Sequence, residues 1–309
     1  MKTNINIKIC AAVLLMMGLL PMLSSCDNEA VENSGNQRKI VFSSVLGEVS
    51  TRGTIATDLG GSIALMAYRY SGEWTGNTES PNFMYKEAAT SLDNTNWTTA
   101  TQYYWPNTSE RMRFFGYAPV DAYDGTNGTL SAQSALGPVT FSGFTVPTNI
   151  ADQQDLLFGE SPEYVCSTAN TVSIAFHHIL TAIQFSTTNT DGTIESIKFV
   201  GVPYSGTYTA NTATGGSWTL NDLPASPNEY TGTLTGTFFM IPQTLPATAQ
   251  VVITYRDSDN YSQTLTYSLS GKTWEMGKKY VYTINIADNE ATLTPTVVAW
   301  TTTDNTLDY

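Results

Sequence analysis

The segment KKYVYTINIA (Lys278–Ala287) decides the fold class, because its large apolar residues recur at every second position. One face of the segment carries Tyr280, Tyr282, Ile284 and Ile286, and the other carries Val281, Thr283 and Asn285. A two-residue period is typical of a strand with one face packed on a core and the other facing solvent. The segment therefore predicts a half-buried β-strand.

Similar strand-like runs occupy most of the chain. They are residues 39–50, 62–70, 111–119, 139–144, 155–160, 171–176, 193–202, 236–242, 249–257 and 261–269. Short strands between clusters of Gly, Pro and Asn are typical of antiparallel sandwiches, and 309 residues suffice for two cores. We predict an all-β protein with two tandem antiparallel β-sandwich domains, residues 53–188 and 193–309. The polar bridge TTNTDGT (residues 187–193) marks the boundary, unless it is a hairpin turn; residues 166–170 are the alternative boundary.

The charge balance excludes one broad class of partner. Charged residues make up only 13% of the chain, well below the usual quarter, and the formal net charge is −13. A nucleic-acid-binding surface needs clustered Lys and Arg to neutralise phosphates. No basic run of that kind occurs in the sequence, so we predict no nucleic-acid partner.

The sequence lacks the motifs of the common catalytic and metal sites. His177 and His178 are the only histidines, and adjacent residues of a strand point to opposite faces, which suits packing better than metal binding. No HExxH or GxSxG motif accompanies them. We therefore predict a protein that is not an enzyme and that holds no metal or cofactor.

The N-terminus has the pattern of an export signal. Lys2 and Lys8 give it a positive start, and residues 9–23 form an apolar stretch of 15 residues. That stretch is shorter than the roughly 20 residues that a membrane-spanning helix needs, so residues 1–25 predict a signal peptide. The stretch ends in LSSC (residues 23–26), which looks like a bacterial lipobox with lipidation at Cys26; the alternative is an ordinary signal with a chance cysteine.

Several motifs together resemble the fimbrillins, the subunits of type V pili of Gram-negative anaerobes. The motifs are the lipobox at Cys26, TRGT (51–54), DLLFGE (155–160), FHHILTAIQF (176–185), FFMIPQTLP (238–246), WEMGKKYVYTI (274–284) and VVAW (297–300). The resemblance implies two transthyretin-like β-sandwich domains and a structural subunit of a cell-surface pilus. It also implies export to the outer membrane, where Cys26 carries lipid, and partners that are other pilin subunits of a homo- or hetero-polymer.

The same resemblance implies proteolytic processing at Arg52. An Arg-directed protease would cut the bond between Arg52 and Gly53, releasing residues 26–52, which are a tether and a removable first strand. We expect this strand to bury Ile40, Phe42 and either Val45 or Leu46, so that its loss leaves an apolar groove beside an unpaired sheet edge. The bond between Arg38 and Lys39 is an alternative cut that would leave the strand in place.

The resemblance further implies that a strand from another subunit fills the groove by donor-strand addition. The expected donor is the C-terminal segment ATLTPTVVAW (residues 291–300). Its inserting face would be either Val297 with Ala299 or Val298 with Trp300, because these pairs alternate along the strand.

A second hypothesis makes the protein a surface lipoprotein or a tip adhesin that binds glycans or host proteins. Its basis is an aromatic cluster that could stack on sugar rings, formed by Trp97, Tyr103, Tyr104 and Trp105. Such residues are more often packed in a core or on a sheet surface. The sequence alone therefore favours packing for this cluster.

Overall fold

Strands make up nearly all the regular structure of this computed structural model, which describes residues 38–46, 59, 61–74, 79–190, 192–211, 215–223, 229–287 and 290–300. The strands of the first half are β1 (Val41–Leu46), β2 (Ser62–Tyr70), β3 (Met84–Thr90), β4 (Asn96–Thr99), β5 (Arg111–Ala118), β6 (Thr129–Leu130), β7 (Thr140–Thr145), β8 (Leu157–Glu160), β9 (Tyr164–Val165) and β10 (Thr171–His178). Two short 3-10 turns, Val120–Tyr123 and Ile150–Asp152, lie between them.

The second half continues with twelve further strands. They are β11 (Thr181–Thr190), β12 (Thr193–Val200), β13 (Ser205–Thr209), β14 (Ser217–Leu220), β15 (Tyr230–Gly232), β16 (Phe238–Met240), β17 (Gln243–Thr244), β18 (Gln250–Arg256), β19 (Ser262–Ser268), β20 (Thr273–Trp274), β21 (Lys278–Ala287) and β22 (Glu290–Ala299). The predicted all-β class is confirmed.

Seven strands of the first half pair into a closed ring. The order of neighbours is β2-β3-β4-β1-β10-β8-β5, and β5 pairs again with β2, while β9 pairs with β5 beyond the end of β8. The inner face of the ring is apolar, with Phe42, Phe114 and Ile174 almost fully buried in one core cluster. Every strand of the ring has a neighbour on both sides, so none of the seven is an edge strand of an open sheet.

The second half contains two facing four-stranded sheets. One has the order β16-β11-β21-β22 and the other has the order β15-β12-β18-β19. Their inner faces meet through aromatic residues, since the Phe199 ring on β12 lies 5.9 Å from Phe185 on β11 and 4.9 Å from Phe238 on β16. The alternating residues of β21 are buried as the sequence predicted, with Tyr282, Ile284 and Ile286 inside.

A third four-stranded sheet, β14-β13-β7-β6, joins the two halves of the chain. Strand β7 of the first half pairs with β13 of the second, and Tyr208 on β13 packs against Phe158 of the ring at 5.4 Å between ring centroids.

Strand β11 already pairs with β21, so the predicted boundary at residues 187–193 falls inside the second-half sandwich, between β11 and β12. The change from first-half to second-half partners comes earlier in the chain. Strand β10, which ends at His178, pairs with β8, whereas β11, which begins at Thr181, pairs with β16. The division into two tandem domains remains a prediction.

Two strand pairs differ from the predicted antiparallel arrangement. β1 runs parallel to β10, and β11 runs parallel to β21. In both cases the partner lies far along the chain, so the connection can cross over instead of turning back as a hairpin. Within the part of the chain that the structure describes, no helix is long and apolar enough to cross a membrane.

Candidate assembly site

Strand β1 occupies a place in the ring that another strand could take. Its backbone pairs with β10 over six residues, from Val41 opposite Thr171 to Leu46 opposite Phe176. On its other side it pairs with β4 at Phe42 opposite Trp97. Removing β1 would therefore unpair the edges of β10 and β4 and open the ring.

The inward face of β1 consists of alternating residues that begin just before the strand. Ile40 and Phe42 are only 4% and 2% exposed. The Phe42 ring meets the Phe114 ring edge-on, with 5.6 Å between centroids. The intervening residues Lys39 and Val41 face outward, so the predicted burial of Ile40 and Phe42 by the first strand agrees with the structure.

A cation fixes the beginning of this segment. The Arg38 guanidinium donates hydrogen bonds to the backbone carbonyls of Cys166 and Ala169. The Trp105 backbone N–H donates to the Arg38 carbonyl at 2.9 Å. Burial raises the pKa of the nearby Cys166 thiol, so the thiol stays neutral and the attraction for Arg38 comes from carbonyl dipoles.

A hydroxyl fixes the segment six residues later. The Trp97 indole N–H donates to Ser44 Oγ at 2.6 Å, and Ser44 Oγ donates to the Asn94 carbonyl at 3.1 Å. Ser44 is buried, so both bonds form away from solvent, where unpaired polar groups are costly. Arg38, Ile40, Phe42 and Ser44 thus form one inward row, which we call the anchor row.

The proposed aromatic platform for sugars does not form a surface. Trp97 and Trp105 are each only 4% exposed, and their indole N–H groups bond to Ser44 and to the Asn170 carbonyl. Tyr103 is half-buried with its hydroxyl on Glu87, and only Tyr104 is exposed. Both tryptophans instead line the wall against which the β1 segment packs, so their burial favours the packing interpretation.

The remaining predicted site residues are only partly visible. Cys26, Arg52 and Gly53 lie outside the described residues, and so do the side chains of Leu46 and Ala299. The backbone places Leu46 at the end of β1, opposite Phe176. Lipidation, cleavage and the burial of Leu46 therefore remain predictions.

The C-terminal strand β22 lies at the edge of its sheet. It pairs with β21 in an antiparallel register of ten residues, from Lys278 opposite Ala299 to Ala287 opposite Glu290. The Val297 side chain is 57% exposed, whereas the Val298 side chain is half-buried. Among the residues that the structure describes, β22 therefore has a strand partner on one of its two sides only.

Trp300 ties the end of this strand to β10. Its ring stacks on His178 at 4.1 Å with an interplanar angle of 10°, and on Phe239 at 5.7 Å. His178 Nδ1 is held in turn by Asp155 Oδ2 at 2.7 Å. Strand β10 therefore contacts both candidate assembly segments, since its backbone pairs with β1 and its last residue stacks on Trp300.

The sequence reasoning missed two residues of the anchor row. Arg38 entered only as an alternative cleavage position, and Ser44 was not singled out. A signal was present, because both residues continue the two-residue period of Ile40 and Phe42 in both directions. The misleading feature is that both side chains are polar, while polar residues at strand ends are usually solvated.

Comparisons with known proteins agree with this architecture. The family model described as fimbrillin-like matches residues 51–300. Fimbrium subunit Fim1C of Phocaeicola vulgatus is 32% identical over 196 residues, which are 56% of this chain and 49% of that protein, so the chain spans about half of that relative's length.

Solved structures support the fold. A fimbrial protein from Bacteroides vulgatus superposes with a TM-score of 0.64 at 20% identity, covering 85% of this chain and 99% of that one. A candidate cell adhesion protein from Bacteroides ovatus gives 0.58 at 18% identity, covering 86% and 99%. The predicted resemblance is confirmed: the chain belongs to the fimbrillin-like family, whose members are structural subunits of cell-surface fimbriae and not enzymes.

Proposed function

We propose that this chain is a pilus subunit that is exported as a lipoprotein through Cys26, is cleaved after Arg52 and polymerises by donor-strand exchange. The observation that carries the proposal is the position of β1. This strand belongs to the closed ring, and the polypeptide connects it to β2 through the segment that contains Arg52. Cleavage at Arg52 would turn a covalent part of the ring into a bound peptide that can be exchanged.

The energetics favour replacement over an empty groove. Ile40 and Phe42 leave apolar sites when β1 departs, and each such site costs about 1.5–3 kcal/mol when left exposed to water. The strands β10 and β4 also lose backbone partners along β1. An apolar groove between two unpaired edges is a template for an incoming strand.

The contacts of Arg38 favour Arg52 as the processing position. The Arg38 side chain is engaged by two carbonyls, and its backbone carbonyl accepts from Trp105. A protease would have to break these bonds before it could hold Arg38. Arg52 stands among small residues, in the sequence STRGT between β1 and β2, which suits a cleavage loop.

The edge position of β22 supports the C-terminal segment as donor. Within the described part of the chain this strand pairs on one side only, and leaving β21 would require loss of that pairing and of the Trp300 stacking. Val298 is half-buried and Trp300 stacks on His178 and Phe239 in the folded subunit, so we propose this pair, and not Val297 with Ala299, as the inserting face. The neighbouring subunits of the pilus are the proposed partners.

Treatment of residues 27–309 with an Arg-specific protease tests the proposal. We expect a new N-terminus at Gly53, found by N-terminal sequencing, and SDS-resistant ladders with a matching shift in size exclusion. Arg52→Ala should abolish both results, whereas the matched control Arg38→Ala should abolish neither.

Two variants of the donor segment complete the test. Deletion of residues 291–309 should remove the ladders, and the milder Trp300→Ser should reduce them while the uncleaved protein stays folded by circular dichroism. Cleavage at Gly53 that leaves only a stable monomer, with or without residues 27–52 bound, would contradict polymerisation by strand exchange and favour a surface lipoprotein or an anchor.

A further inference from the structure

The groove that β1 fills has polar groups at both of its ends. At one end the carbonyls of Cys166 and Ala169 accept hydrogen bonds from the Arg38 guanidinium. At the other end the Trp97 indole donates to Ser44 Oγ. The groove therefore requires a donor at one end and an acceptor at the other, and it is apolar only between them.

These requirements define the spacing of side chains along a strand that fills the groove. The anchor row places a cation at the first position, large apolar side chains two and four residues later, and a hydroxyl six residues later. Hydrogen bonds from a charged donor are stronger than those between neutral groups, and a buried indole N–H without an acceptor is penalised. An occupant that matches only the apolar positions would leave both ends unsatisfied.

We infer that the vacated groove selects a strand of a different polypeptide, with Arg or Lys, two apolar residues and Ser or Thr at alternating positions. This inference rests on the proposed strand exchange and specifies the partner. The cation is then the position that separates a preferred occupant from the C-terminal segment of a second copy of this chain.

The chain's own C-terminal segment fits only part of this pattern. With Val298 at the Ile40 position, Trp300 takes the Phe42 position and Thr302 the Ser44 position, but Thr296 then stands where Arg38 was. Residues 288–309 contain no Lys or Arg and carry four acidic residues, Asp288, Glu290, Asp304 and Asp308. The C-terminal segment of a second copy therefore brings no cation to the two carbonyls, whichever way that strand runs.

Displacement of the cleaved first strand by synthetic peptides tests the inference. The protein is cleaved after Arg52, with residues 27–52 labelled by a fluorophore, and release of the label is followed by anisotropy. Peptide 36–48 should displace the label at about tenfold lower concentration than its Arg38→Gln form, while the outward-facing control Lys39→Gln should change this concentration less than about twofold. In peptide 296–306, Thr296→Arg should improve displacement about tenfold, and Val297→Arg, with the same charge, should not.

The outcomes separate this inference from the proposal on which it rests. Equal displacement by the Arg38→Gln and Lys39→Gln peptides, or by the Thr296→Arg and Val297→Arg peptides, would overturn selection by the cation and leave strand exchange intact. Failure of every peptide, including unchanged peptide 36–48, to release the label would overturn both strand exchange and selection.

Discussion

Replacing Phe42 by alanine is expected to lower the free energy of unfolding of the uncleaved protein by about 3–5 kcal/mol. Phe42 is 2% exposed, and its ring packs edge-on against Phe114 inside the closed ring. Truncation removes the buried apolar area and leaves a cavity that the surrounding strands cannot fill completely. The loss is measured by urea denaturation followed by tryptophan fluorescence.

Val41→Ala is the matched control for Phe42→Ala. Val41 lies next to Phe42 on the same strand but faces outward and is 50% exposed, so its truncation should change the unfolding free energy by less than about 0.5 kcal/mol. After cleavage at Arg52, Phe42→Ala should also speed the release of residues 27–52. Similar losses for the two variants would mean that the β1 segment is held by its backbone alone.

The second large effect is expected at Gly116, where Gly116→Val should destabilise the protein by about 3 kcal/mol. A Cβ atom at Gly116 would lie 2.5 Å from Cζ of Phe176, and at Gly159, on the neighbouring strand, it would lie 2.8 Å from Cγ of the same ring. Phe176 is fully buried and cannot swing out to make room. The Phe176 ring therefore packs directly against the backbone of the two glycines.

The double variant Gly116→Val with Phe176→Ala tests this explanation. All the nearest atoms to the added Cβ belong to Phe176, so removing that ring should relieve the clash, and the two changes should cost less together than their sum by at least about 1 kcal/mol. Ala175→Val places a valine at an exposed position of β10 and serves as the control. Additive losses, measured by thermal and urea unfolding, would contradict steric contact as the cause.

Local sequence pattern predicted many strands but not their partners. The bounds of β2 and β21 follow directly from their runs of apolar residues, and in β21 the alternation also reports which face is buried. The parallel pairings of β1 with β10 and of β11 with β21 were missed. A strand's own pattern carries no information about the direction or identity of its neighbour, and the closure of the ring depends on both.

The assembly site shows the same limit at the level of side chains. Ile40 and Phe42 were predictable, since apolar residues at alternate positions have few other roles. Arg38 was not, because its partners are backbone carbonyls, which any residue type supplies. The sequence favoured packing for Trp97 and Trp105 but could not exclude a sugar platform, because an aromatic residue suits both a core wall and a stacking surface.

The parallel alignment of β1 and β10 has a mechanical consequence. A strand that replaces β1 lies side by side with β10 over the six residue pairs of that register. Tension along a filament that is transmitted along this strand acts as shear, which strains all six pairs together, whereas a pull across the sheet would separate them one at a time. Such a joint would resist tension along the filament axis. The strand could still be exchanged if its residue pairs with β10 separated one at a time from one end.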